Sequence, residues 1–165
     1  MLRTNLSINL IEWTSRKRRH VCRATYSAEL FAAVDTTDTA VLINLALHEI
    51  MYGVQSLDTL RALREEGGFG IPSFLLIDAK SVFDSLTVEY AKTPAEKSVL
   101  VQVLWLREIL EKRILNYLVW LDTRDMLPDG LTKGAIHREL LHKAMNGFWH
   151  IKQAYKIFAA TTIRR

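Results

Sequence analysis

The chain has 165 residues, 49% of them hydrophobic and 24% charged, with 22 Lys and Arg against 18 Asp and Glu for a net charge of +4. Such a composition suits one globular domain with a real core and excludes a disordered chain. The mild basic excess permits a polyanionic partner without demanding one, and the single cysteine, Cys22, excludes an internal disulfide and a cysteine-based zinc site.

In chain order, the opening MLRTNLSINL lacks the apolar core of a secretory signal. Ile8 to Ser15, INLIEWTS, reads as a strand, Arg16 to His20 as a basic turn and Val21 to Thr25 as a second short strand, together a hairpin. From Ser27 the period changes: Ala28, Phe31, Ala32, Val34, Val41, Leu42, Leu45 and Ile50 predict a helix of several turns ending near Gly53. Its apolar runs, such as Ala40 to Leu47, are shorter than a membrane span requires. The expectation is therefore an intracellular protein of the cytoplasm or nucleus, neither secreted nor membrane-spanning.

Ser56 to Glu66 predicts a short helix stopped by Gly67-Gly68, and Pro72 leads into a strand from Phe74 to Asp78. A brief helix follows at Ser81 to Leu86. Thr93-Pro94-Ala95-Glu96 is a capping box that opens a helix running to about Arg113. Tyr117 to Leu121, YLVWL, is the next strand, and a last helix is expected from about Leu127 to Met145. The remainder, from Phe148, is a strand or a docked tail. The order of hairpin, helix, strand, helices, strand, helix predicts an α/β fold, a mixed sheet with helices packed on it.

Three acids fall at element ends: Glu29 in the first turn of the long helix, Asp78 at the end of a strand, and Asp129 in the first turn of the last helix. Each has a structural reading. Glu29 and Asp129 gain from a helix dipole, and Asp78 is placed to cap the following helix. Gathered at one sheet edge, the three would instead repel one another until divalent cations relieved them. Oxygen donors favour Mg²⁺ or Mn²⁺, and a pair of such ions ~4 Å apart serves phosphodiester hydrolysis.

Other residues carry weaker signals. RKRRH, Arg16 to His20, is either a phosphate-binding patch, extended by Arg23 and Lys80, or an ordinary solvated turn. Asp84 and Asp122 lie near the proposed site, and Asp125 is the reserve acid or a cap for the last helix. His137 and His142 are five apart and share no helix face, which argues against a histidine metal pair; His48 and His150 have no evident partners. GGFG, Gly67 to Gly70, lacks the lysine of a phosphate loop and reads as a turn. Trp13, Trp105 and Trp120 read as core.

Several segments together resemble the ribonuclease H domains of Copia-type retrotransposons. CRATYSAELFAA is similar to their serine-rich stretch before Ala-Glu, and FLLIDAKSVFDSL to their second carboxylate strand. LPDGLTK is similar to their Leu-Ala-Asp-x-x-Thr-Lys, IEWTSRKR to their hairpin, and TPAEKSVLVQVLWLREIL to a helix in one branch of these elements. The resemblance covers roughly residues 8 to 147. It implies a ribonuclease H-like fold, origin in a Pol polyprotein beside an upstream reverse transcriptase portion, and cleavage of the RNA strand of an RNA–DNA hybrid. Glu29, Asp78 and Asp129 would then be the catalytic metal ligands of a two-metal Mg²⁺ or Mn²⁺ site.

The resembled family carries its first metal-binding aspartate on an earlier strand, and no Asp precedes Asp35 here. The expectation is an incomplete domain over residues 1–147, its first strand missing, with 148–165 a C-terminal tail or extra strand. Metal binding should be weakened and nuclease activity small or absent. Arg124 also stands where many members place a histidine, which leaves a proton shuttle unsupported. The alternative is a noncatalytic nucleic-acid-binding or scaffold domain that keeps the fold. A third reading is an unrelated α/β domain whose acids are helix caps.

Overall fold

The computed structural model describes residues 5–9, 11–12, 24–89, 97–128 and 138–160. Its elements in chain order are β1 (Asn5–Ser7), α1 (Thr25–Tyr52), α2 (Leu57–Glu66), β2 (Phe74–Ile77), α3 (Lys80–Thr87), a 3₁₀ turn (Lys97–Val99), α4 (Leu100–Glu111), β3 (Tyr117–Leu121), a second 3₁₀ turn (Thr123–Asp125), α5 (Arg138–Met145), β4 (Phe148–His150) and β5 (Tyr155–Phe158). The result is an α/β arrangement with a mixed three-stranded sheet in the order β2-β3-β5, flanked by helices. A separate two-stranded pair joins β1 to β4. The chain divides into two compact units, one of residues 1–20 and 121–156, the other of residues 21–120 and 157–165.

The larger unit is built on α1, 28 residues long. Its buried positions, Ser27, Leu30, Ala33, Thr37, Val41 and Asn44, recur every three or four residues and so form one stripe. That stripe packs where α1 meets α2, α3, α4 and β2. Thr37 avoids an unpaired hydroxyl by donating to the Ala33 carbonyl at 2.8 Å. An 18-residue stretch of α1 has a mean hydropathy of 1.4, so by length and composition alone this helix is able to cross a membrane, although no single apolar run in it is that long. A core helix of a soluble protein meets the same test.

The helix expected from Ser56 starts at Leu57, and Ser56 caps it by accepting from the Thr59 amide at 3.2 Å. Gly67 ends it at φ 80, with its amide on the Leu63 carbonyl. A Cβ at Gly67 would lie 2.6 Å from the Lys112 carbonyl oxygen, so this close approach of the loop to the end of α4 requires glycine. GGFG is indeed the turn between α2 and β2.

The parallel β2–β3 pair aligns Phe74 with Tyr117, Leu75 with Leu118, Leu76 with Val119 and Ile77 with Trp120. Its register is set at the start of both strands. The Ser73 amide donates to Asn116 Oδ1 at 2.8 Å, and the Asn116 and Tyr117 amides both donate to the Ser73 carbonyl at 3.1 Å. Leu75, Ile77 and Leu118 then enter the core with Leu30, Val82, Leu86, Val103, Leu106 and Leu110.

The smaller unit departs from the sequence expectation. Ile8, Asn9, Ile11 and Glu12 carry no strand, and Thr25 is already helical. The remainder of the expected hairpin, Leu10 and residues 13–23, lies outside the described residues. The strand is instead Asn5–Ser7, antiparallel to Phe148–His150, with the Ile8 amide extending it to the Gly147 carbonyl at 3.0 Å. Pairing with a strand far along the chain overrides the local β-propensity of Ile8 and Ile11. The capping box at Thr93–Glu96 also lies outside the described residues.

Candidate functional site

Asp78 follows the last residue of β2, and the chain there is held from the neighbouring strand: Trp120 Nε1 donates to the Asp78 carbonyl at 2.9 Å. Trp120 is thus more than core filling, because it fixes the backbone that carries the acid. The N-cap of α3 is Ala79, which makes no side-chain cap bond, so the capping role open to Asp78 in the sequence is not taken. Among the described residues nothing donates a hydrogen bond to the Asp78 carboxylate and no cation pairs with it. It is half-buried at the end of a parallel strand, the position at which open α/β sheets present their ligand-binding groups. Lys80 is exposed at the first position of α3.

Glu29 lies in the second turn of α1, not the first, because the helix begins at Thr25, and its side chain is exposed. The helix-dipole account of this acid is correspondingly weaker. Since α1 packs on β2, Glu29 and Asp78 belong to neighbouring elements. Asp129 lies outside the described residues, as do Arg16, Lys17, Arg18, Arg19 and Arg23. Among the described residues no group of three or more His, Cys, Asp or Glu is placed to hold a metal ion.

The acids after β3 have other work. Asp125 is 2% exposed, and its Oδ2 accepts the Lys152 amide at 3.0 Å and the Gln153 amide at 2.6 Å. Its carbonyl accepts Trp149 Nε1 at 3.2 Å. Asp125 therefore ties the segment between β4 and β5 to the second 3₁₀ turn, and among the described residues it caps no helix. Leu127 and Pro128 form a turn, so the helix expected from Leu127 does not start there.

Asp122 receives Arg124 on both carboxylate oxygens, from Nε at 2.8 Å and from Nη2 at 3.0 Å, and also accepts the Arg124 amide at 3.0 Å. The Arg124 side chain first, and its amide second, hold the Asp122 carboxyl down to about 2, below the usual 3.8. A depressed carboxyl stabilises the fold above its unfolded value and loses that contribution as pH falls through the folded value, here between about 4 and about 2. At neutral pH the contribution is complete, though solvent screening keeps it small. An NMR titration should give the Asp122 carboxyl a midpoint near 2, and Arg124→Ala should return it towards 3.8. An ordinary midpoint in the unaltered chain would disprove the pairing.

The histidine pair considered in the sequence includes His137, which lies outside the described residues. His48 is half-buried against Tyr52, ring centroids 4.6 Å apart, with Phe69 at its edge at 6.4 Å. Its Nδ1 and the Asn44 Nδ2 one turn earlier are buried without a partner. His142 is exposed on α5, His150 lies on β4, and His137 is outside the described residues. Compared with known proteins, the chain matches no family model, no curated protein and no solved structure.

Proposed function

We propose that the chain is a ribonuclease H-like domain of Copia-type retrotransposon origin, whose ancestral reaction is metal-dependent hydrolysis of the RNA strand of an RNA–DNA hybrid. Asp78 is the observation that carries this reading. A structural acid at a strand end normally caps or pairs, and this one does neither among the described residues while Trp120 holds its backbone in place. The parallel β2–β3 pair with α1 packed on it supports the same reading.

A donor set of Glu29, Asp78 and Asp129 is all carboxylate oxygen, which suits Mg²⁺ or Mn²⁺. Bound there, such ions would supply an activated water and charge neutralisation at the leaving oxygen. Arg16, Lys17, Arg18, Arg19, Arg23 and Lys80 would contact phosphates without reading sequence. In a Pol polyprotein, the upstream reverse transcriptase portion would deliver the hybrid inside the cell.

One observation favours the second reading, a noncatalytic nucleic-acid-binding or scaffold domain. Arg124, where the resembled family often carries a histidine, is locked in an ion pair with Asp122 and stays charged. It cannot relay a proton, so any cutting by this chain should be slow.

Calorimetric titration with Mn²⁺, beside a labelled-hybrid cleavage assay, separates the readings. The expected result is a weak Mn²⁺ site that Asp78→Asn abolishes, with slow cutting of the RNA strand that disappears in the same variant. Equal Mn²⁺ binding by the two proteins, or none by either, removes the ribonuclease H reading. Metal-independent binding of the hybrid would then leave the scaffold.

A further inference from the structure

Within the smaller unit, Leu140 and Lys143 of α5 face β4 and Lys152 across a cleft of about 320 Å³, lined by these three with Phe148, Trp149 and His150. That volume is at the lower end of small-ligand sites. The lining joins aromatic rings to basic groups and, among the described residues, includes no carboxylate. We propose that this cleft binds a single-stranded nucleic-acid segment, an unpaired base stacking on Phe148 while the adjoining phosphates meet Lys143 and Lys152.

Phe148 is 66% exposed, a large flat ring left in water beside two lysines. Phe148 and His150 sit at alternate positions of β4 and so share one face, whereas Trp149 is turned to the other, its indole nitrogen on the Asp125 carbonyl. That bond fixes β4 behind the exposed Phe148 ring. The Lys152 backbone is equally fixed, because its amide is bound by the buried Asp125 carboxylate. These anchors hold the platform in advance of a ligand, which limits the ordering cost of binding.

Charge selects the ligand class. Lys143 bonds Glu139 at 2.6 Å, and Lys152 also acts on Glu139, whose carboxyl the two lysines hold below its usual range. Among the described residues the rim itself carries two ammonium groups against the Glu139 carboxylate, because the Asp125 carboxylate is buried beneath it and taken up by two amides. An anion carrying a flat ring satisfies the rim and the exposed Phe148 together, and a nucleotide is such an anion. Bases within a duplex have their faces covered by their neighbours, so only an unpaired base can stack here. The site needs no metal.

Fluorescence polarisation of a labelled ten-residue oligodeoxyadenylate, at low salt with EDTA present, tests it on the full chain. Phe148→Ala should weaken binding about tenfold, and Lys152→Ala should reduce the slope of log K against log salt by about 0.7. Arg61→Ala, on α2 in the other unit, should change neither. Should Phe148→Ala alter the thermal transition, Phe148→Leu keeps the apolar bulk, loses the flat face and should still show the loss. Binding that survives both Phe148 variants overturns the proposal. So does a poly-glutamate peptide that competes as well as unlabelled oligonucleotide, which would mark an acidic-peptide site. Because EDTA is present throughout, neither outcome bears on metal binding at Asp78.

Discussion

Replacing Leu118 with alanine is expected to destabilise the chain by about 3–4 kcal/mol, measured as a fall in the urea midpoint at unchanged slope. Leu118 is 0% exposed on β3 and lies beside Leu75 in the parallel register, facing a core that includes Leu30, Val82, Leu106 and Leu110. Truncation would remove buried methyl groups where packed helices and a paired strand have little room to collapse into the cavity. Leu42 on α1, 61% exposed, provides the contrast: Leu42→Ala should cost less than about 0.5 kcal/mol. A Leu118→Ala loss below about 1 kcal/mol would mean that β3 does not anchor the core.

The strand that carries this prediction was legible in the sequence to the residue. YLVWL is a short apolar, β-branched and aromatic run between polar segments, and it forms Tyr117–Leu121. The strand expected over Phe74–Asp78, which forms Phe74–Ile77, and the helix expected over Ser56–Glu66, which forms Leu57–Glu66, were legible for the same reason, an apolar pattern closed by residues with strong local preferences. The start of α1 was less so, because its N-cap is Ala24, which bonds through no side chain and leaves no local signal. Of the strand expected at INLIEWTS, Ile8, Asn9, Ile11 and Glu12 carry none; β1 is Asn5–Ser7, chosen by pairing with Phe148–His150, and no local pattern announces so distant a partner. The C-terminal segment stayed ambiguous for the same reason. Its two strands are separated by residues 151–154, in which the Lys152 and Gln153 amides are held by Asp125, more than twenty-five positions away.

The candidate acids divide along the same line. Asp78 stands out in sequence as a bare carboxylate after an apolar strand, and in the structure it takes no capping role on α3. Asp122 and Asp125 both stood out as acids near a strand end, but their roles depend on groups that sequence spacing does not connect. The Arg124 fork answers Asp122, and two amides from beyond β4 answer Asp125.

Asp125→Ala is expected to cost about 3 kcal/mol, since it leaves the Lys152 and Gln153 amides buried without an acceptor as well as removing a charge-assisted pair of bonds. Asp125→Asn keeps one acceptor oxygen and loses the charge, so it should cost about half as much. Asp78→Asn should behave in the opposite way. With no cap bond and no described partner to lose, it should leave thermal stability in EDTA within about 0.5 kcal/mol of the unaltered chain. Adding Mn²⁺ completes the comparison. A metal that binds only the folded chain raises its apparent stability, so the unaltered chain and Asp125→Asn should both gain from Mn²⁺ while Asp78→Asn should not. A gain retained by Asp78→Asn and lost by Asp125→Asn would exchange the two roles, making Asp125 the ligand and Asp78 a surface acid, and it would move the proposed chemistry from the end of β2 to the turn after β3.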